Sequence, residues 1–261
     1  MATKRPETNS INVARLPPRA GSSAATAWNS LWPLAAGVLL AAAIQWTLPG
    51  AVGPYYARIV IDIGIAIIMA VSLNIVNGLT GQFSIGHAGF MTLGGYAAGA
   101  LTYYGSLWMW DSPAKHGGSW GSGMWLFAAS CMVGGVVAAA AGYVVGLPSL
   151  RLRGDYLAIV TLGFGEIVRV VLQQTQDVID DPHALRSATI GQFWPPPVGG
   201  AVGFDGIPKY TNLFWVYAFV AITVVCAYRV KYSGLGRAMI SIREDEIAAQ
   251  AMGVNIARYK V

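Results

Sequence analysis

The sequence predicts an all-α, polytopic integral membrane protein of about six transmembrane helices, with one discontinuous segment and an amphipathic helix outside the membrane. Three observations carry that reading. Hydrophobic residues make up 55% of the 261-residue chain and charged residues only 11%, against roughly a quarter charged in an ordinary soluble domain, so too little polar surface exists for a water-soluble globule. The apolar residues gather in runs long enough to cross a hydrocarbon core of about 30 Å. Lys and Arg collect in every second connection between those runs, the asymmetry that orients membrane proteins.

Residues 1–30 are polar and rich in Ser, Thr, Pro and Arg, with Lys4, Arg5, Arg15 and Arg19 against Glu7. They read as a disordered cytoplasmic tail. Residues 31–48 form the first uncharged run. It is long for the apolar region of a signal peptide and lacks a small-x-small cleavage site, which predicts a retained span. Further spans are expected at 59–76, 86–104, 123–147, 156–172 and 211–228, so that 31–230 forms the transmembrane domain and 231–261 a cytoplasmic segment.

Threaded from a cytoplasmic N-terminus, Arg151 and Arg153 and then Arg229, Lys231, Arg237, Arg243, Arg258 and Lys260 fall inside. Only Lys115 falls in the first two outer connections, and the third, residues 173–210, mixes Asp177, Asp180, Asp181 and Asp205 with Arg186 and Lys209. The net charge of +5 is therefore a topology signal rather than a nucleic-acid surface. Cys131 and Cys226 each lie within an apolar run, without metal or disulfide spacing, and read as inert thiols. No metal site or cofactor is expected, and the absence of a GxxxxGK[ST] loop assigns any ATP chemistry to another polypeptide.

Two features interrupt the plain apolar rods. Residues 77–89, NGLTGQFSIGHAG, put glycines and polar groups where a loop of two or three residues would suffice. Non-helical backbone at membrane depth is tolerated only when covered by protein or lining a wet cavity. Gln82 and Ser84 are thus candidates for a path lining, where free backbone groups meet a polar substrate; His87 reads either as a hydrogen-bonded structural group or as a proton relay. The second feature is Glu166 with Arg169, three residues apart on one helix face within an apolar span. They read as a mutually compensating pair, or as path residues facing the carboxylate and ammonium of an amino acid.

Beyond the last span, Ser241 with Glu244 fits a capping box, and Glu244, Asp245 and Glu246 suit a helix start. Ile247, Ala248, Ala251 and Met252 make a narrow apolar stripe, and Gly253 offers a left-handed stop. Such a helix either lies on the membrane surface or its own subunit, or docks on a partner. Gly95 with Gly99, and Gly134 with Ala138 and Gly142, have small-xxx-small packing spacing. Trp32, Tyr55, Tyr56, Tyr103, Tyr104 and Trp215 fall near span ends and read as interfacial anchors.

Three stretches, SLNIVNGLTGQFSIGHAGF at 72–90, LRLRGDYLAIVTLGFGEIVR at 150–169 and GRAMISIREDEIAAQAMG at 236–253, together resemble the LivM-like permease subunits of branched-chain (hydrophobic) amino-acid ABC importers. The resemblance runs from about residue 35 to the end. It implies a non-enzymatic transporter subunit in a prokaryotic inner membrane, with a second permease subunit, cytoplasmic ABC ATPase subunits and an extracytoplasmic amino-acid-binding protein as partners. It also implies that the cytoplasmic helix is similar to the EAA loop that docks on the ATPase: Ala248, Ala249 and Gly253 match, while Ile247 stands at the Glu position and Glu246 precedes it. Members of the family continue past this loop with further spans, so the expectation is a permease lacking its C-terminal portion. The alternatives are a urea or short-amide ABC permease and, in another class, a proton-coupled secondary transporter or channel using His87 and Glu166.

Overall fold

The computed structural model describes residues 23–117, 121–149, 155–187, 196–256 and 259, without side chains at 23–31, 51–52, 148–149 and 155. Residues 1–22 of the expected tail, and Arg151, Arg153, Arg258 and Lys260, lie outside the described residues. Those described form helices and connections, with no strand among them.

Element α1, Ser23–Asn74, holds the first two expected spans as two helical limbs that meet at Gly53. What separates them is a kink. Gly53 adopts φ 74° and ψ 165° between Pro49 and Pro54, a conformation open to glycine because it has no Cβ, and Pro54 restarts the helix where its missing N–H is not needed. The two limbs flank α6, Leu213–Tyr232. On the first, Gly37 leaves no room for a side chain against Ala221, and the Gln45 carbonyl oxygen accepts from Phe214 N at 3.0 Å. On the second, Tyr217 donates to Val60 O at 3.2 Å and Gly64 abuts Val216. Asn74, at the end of the second limb, shares a cavity with Lys231 in the last turn of α6, so the first limb runs opposite to α6 and the second alongside it.

The second limb ends in a π-helical turn, Ile75–Leu79, and extended residues lead into α2, His87–Trp110. Helix α3, Ser122–Ser149, crosses α2 at a small-residue seam. A Cβ on Gly94 would lie 3.0 Å from Gly134 O and 3.2 Å from the Ala138 Cβ, and one on Gly134 would lie 2.9 Å from the Ala98 Cβ. The seam uses Gly94 and Ala98 of α2, one position from the expected Gly95 and Gly99. Gly95 and Gly142 face open space, and Gly99 meets Phe204 and Ile207 of a loop instead.

Helix α4, Asp155–Gln173, packs on α2; the short α5, Pro182–Ser187, and a 3-10 turn, Gly200–Val202, lie in the connection to α6. Helices α7, Gly234–Glu244, and α8, Glu246–Ala251, follow α6. Among the described residues, five stretches are long and apolar enough to cross a membrane: Trp32–Gly50, Gly53–Leu79, Ser122–Leu147, Tyr156–Gln173 and Leu213–Tyr232. The sixth expected span lies in α2, which has 24 residues but is diluted by Thr92, Tyr96, Thr102, Tyr103, Tyr104 and Ser106. The architecture is that of an all-α polytopic membrane protein.

Loops 111–117 and 196–212 close one end of the bundle. Tyr103 donates to Asp180 Oδ1 at 2.5 Å, Tyr104 to Pro197 O at 2.5 Å, and the Tyr210 hydroxyl accepts from His116 N at 2.9 Å. Arg186 reaches Asp111 at 2.7 Å. Tyr103 and Tyr104 are thus buried core rather than the interfacial anchors expected, and Trp215 is half-buried against Met124. Trp32, Tyr55 and Tyr56 are exposed, as an anchor requires.

Candidate functional site

The break between α1 and α2 is built by local hydrogen bonds and pinned by α4. Thr80 donates to Val76 O at 2.6 Å, closing the π turn. Gly81 then takes φ +69°, and the chain leaves helical geometry. Asn77 Oδ1 accepts from Ser84 N at 3.3 Å, and Thr161 Oγ1 of α4 accepts from Ile85 N at 3.2 Å. Gly86 lies so close to the Thr161 carbonyl that no Cβ would fit. Further along, a Cβ on Gly89 would lie 3.0 Å from Gly165 Cα, and the Phe90 and Phe164 rings sit 4.8 Å apart. Gly86 and Gly89 form the seam by which α2 starts against α4.

His87 Nε2 lies 2.7 Å from Ser72 Oγ, whose hydroxyl also donates to Met69 O at 3.0 Å. With its proton on that carbonyl, the hydroxyl accepts from the ring, so the pair fixes the imidazole to α1. Gln82, Ser84 and His87 are all half-buried. Ser72, Asn77 and Thr161 went unmarked in the sequence. Each is a single polar residue in an apolar context, and only the fold shows which break it supports.

Glu166 and Arg169 are paired, with Arg169 Nε 2.9 Å and Nη2 2.8 Å from Glu166 Oε2. Their side chains are 56% and 59% exposed. They stand in the C-terminal half of α4 and turn away from this chain's own packing. The break and the ion pair therefore do not converge on one pocket within the chain. The cavity of about 620 Å³ lined by Gln45, Trp46, Met124, Asn212, Phe214 and Trp215 contains none of them.

At the other end, α7 starts from Ser233, whose hydroxyl accepts from Gly236 N at 3.2 Å. The expected capping box is not formed. Ser241 lies inside α7 and donates to Ala238 O at 2.8 Å. The cap is Asp245, which separates α7 from α8 and accepts from Ile247 N at 2.8 Å and Ala248 N at 3.0 Å. Asp and Ser are comparable N-caps, but Ser241 is taken up inside α7, its backbone carbonyl accepting from Asp245 N at 3.2 Å, so the start falls four residues later. The stop falls as expected: Gly253 has φ +86°, with Gly253 N donating to Gln250 O and Val254 N to Ala249 O, both at 3.0 Å. These two bonds make a Schellman motif.

Of the apolar stripe, Ile247, Ala248, Ala251 and Met252 are exposed, whereas Ala249 is buried against the chain itself. Glu244, Asp245 and Glu246 lie around the break between the two helices, Glu244 paired with Arg243 at 3.1 Å. Arg243 also donates to Gly78 O at 2.8 Å and packs its stem on Gly81. The helix pair outside the membrane is thereby tied to the break between α1 and α2.

Fold and site together define a polytopic all-α membrane protein: helices with apolar outer faces, a non-helical break held between them, and a short capped helix presenting an apolar face beyond the last span. Residues 55–261 match the family model described as branched-chain amino acid transport system / permease component. The chain belongs to that family. It is 33% identical, over 213 residues covering 76% of its length and 46% of theirs, to the high-affinity branched-chain amino acid transport system permease proteins LivM of Escherichia coli K12 and Salmonella typhimurium LT2. It is 26% identical over 131 residues, 48% of its length and 35% of the relative's, to a probable branched-chain amino acid transport permease protein LivM of Methanocaldococcus jannaschii. The chain thus spans about half the length or less of the curated relatives it matches. No solved structure matches it.

Proposed function

We propose that the chain is a transmembrane permease subunit of an ATP-binding cassette importer for branched-chain or hydrophobic amino acids, in a prokaryotic inner membrane with its N-terminus in the cytoplasm. Energy comes from ATP hydrolysis on partner ATPase subunits, and substrate from an extracytoplasmic amino-acid-binding protein. The observation that carries this reading is α8 within a chain of this family: a short, doubly capped helix whose Ile247 and Met252 are left uncovered. Partner ATPase subunits dock there.

The chain divides into an N-terminal tail at 1–30, a permease domain at 31–230 and a coupling segment at 231–261. Gln82, Ser84, His87, Glu166 and Arg169 belong to the translocation path. Because Glu166 and Arg169 face outward, a second permease subunit completes that path; lipid is a poor neighbour for the pair, since a charged side chain at the centre of a membrane helix costs about 2.5–3.5 kcal/mol even by the mildest scale. Glu244, Asp245, Glu246, Ala248, Ala249 and Gly253 shape the coupling helix.

The test is uptake of labelled leucine by cells expressing the chain with the ATPase and binding-protein genes of its own locus. Uptake should require the binding protein, fail on ATP depletion and persist when the proton gradient is collapsed. Uptake that follows the proton gradient gives the chain to secondary transport, and uptake displaced by urea but not by leucine gives it to the amide importers.

A further inference from the structure

A second cavity, of about 340 Å³, lies where the π turn, the last turn of α6 and α7 meet, lined by Asn74, Gly78, Leu79, Lys231, Ile240 and Arg243. Its chemistry is asymmetric. Two cations line it and no carboxylate does. Arg243 is held in place by Gly78 O and is balanced by Glu244 at its outer edge. The Lys231 ammonium sits 5.7 Å from the centre of the Tyr232 ring, on an exposed side chain with no acid among its described partners. One positive charge therefore stands uncompensated beside a guanidinium that keeps unused N–H donors, an Asn74 amide, and an apolar floor of Leu79 and Ile240. Lys231 also fixes the depth. It lies in the last turn of a 20-residue apolar helix, which at 1.5 Å per residue spans about 30 Å, so the cavity opens at the membrane–water boundary.

We propose that this cavity binds a phosphate monoanion, supplied at that depth by the headgroup of an anionic phospholipid, with Lys231 and Arg243 on the phosphate oxygens and the glycerol end against Leu79 and Ile240. Basic pockets between membrane helices at the interface are suited to acidic headgroups. A guanidinium already fixed by a carbonyl meets phosphate oxygens with little further loss of freedom. Because the π turn forms one wall, a bound headgroup clamps α7 against the break before α2.

The test uses the full chain in nanodiscs of phosphatidylcholine with and without phosphatidylglycerol, with retained lipid read by native mass spectrometry. Phosphatidylglycerol should be retained over phosphatidylcholine. Lys231→Gln should lower that retention about fivefold, Ile240→Trp should lower it by filling the cavity without changing charge, and Lys231→Arg should preserve it. Arg237→Gln removes an equal charge on exposed α7 outside the cavity and should leave retention unchanged. Equal losses from Arg237→Gln and Lys231→Gln would overturn the site in favour of diffuse surface charge, and no preference in the parent chain would overturn it outright. Inorganic phosphate that binds in lipid-free detergent with the same Lys231 dependence upholds the site and moves its source from lipid to solution.

Discussion

Glu166 and Arg169 meet at 2.8 Å in the C-terminal half of α4, with more than half of each side chain outside the chain's own packing. Removing one partner leaves the other as a lone intramembrane charge, so the two substitutions are coupled. Glu166→Gln or Arg169→Gln alone should lower the yield of inserted protein severalfold, and the double substitution should recover part of it; additive losses in the cycle would show two independent roles. The spacing of three residues made the pairing legible in the sequence, because it puts both groups on one helix face. The direction of that face was not legible. It depends on Gly86, Gly89 and Phe90 packing on Thr161, Phe164 and Gly165 of α4, a contact over some 75 residues of chain that no local pattern records. Tyr103 and Tyr104 illustrate the same limit: span-end aromatics suit a lipid interface, yet here Asp180 and Pro197 O claim their hydroxyls.

Among the elements, α8 gives the sharpest separation between folding and docking. Ala249 is buried in the chain, whereas Met252 on the same helix is 85% exposed. Met252→Glu should therefore leave membrane insertion intact while weakening co-purification of the ATPase and abolishing substrate-stimulated hydrolysis. Ala249→Glu should lower the yield of folded chain, because it buries an unpaired charge. Met252→Glu chains that keep full ATPase association would remove α8 from the proposed interface. Gly253→Val puts a β-branched residue at φ +86°, costing roughly 1–2 kcal/mol. It should fray the Schellman stop, visible as lost protection at the Val254 amide. The stop was readable in advance because glycine at this position has a single strong use. The start was not, since Ser241, Glu244 and Asp245 all carry capping chemistry and only the packing of α7 decides among them. The expected spans were likewise legible from apolar runs, but the tight joint of the first two at the non-helical Gly53, between Pro49 and Pro54, was not.

On the scale of the whole molecule, the spans bury only 6–22% of the residues in their most apolar windows, so most of the bundle's apolar surface is left for lipid and neighbouring subunits. The proposed orientation puts Ser187 and Ser233 on opposite faces of the membrane. A cysteine at 187 should react with an impermeant maleimide added to intact cells and one at 233 should not; the reverse pattern would invert the topology. Burial is also distributed unevenly along the bundle. The largest fully enclosed side chains are Tyr103, Tyr210, Leu107, Val198, Pro197, Ser106 and Ser130, all in the half closed by the 111–117 and 196–212 loops. At the opposite end the chain turns through the π segment, the break and the Ser233 turn, held chiefly by single hydrogen bonds such as Arg243 to Gly78 O. Local opening follows the density of such enclosed contacts. Amide hydrogens of 103–107, helical and buried, should consequently exchange with solvent deuterium orders of magnitude more slowly than those of the non-helical residues 81–85. The molecule is then a bundle clamped at one mouth and loose at the other, and thermal fluctuation alone spreads the loose mouth first.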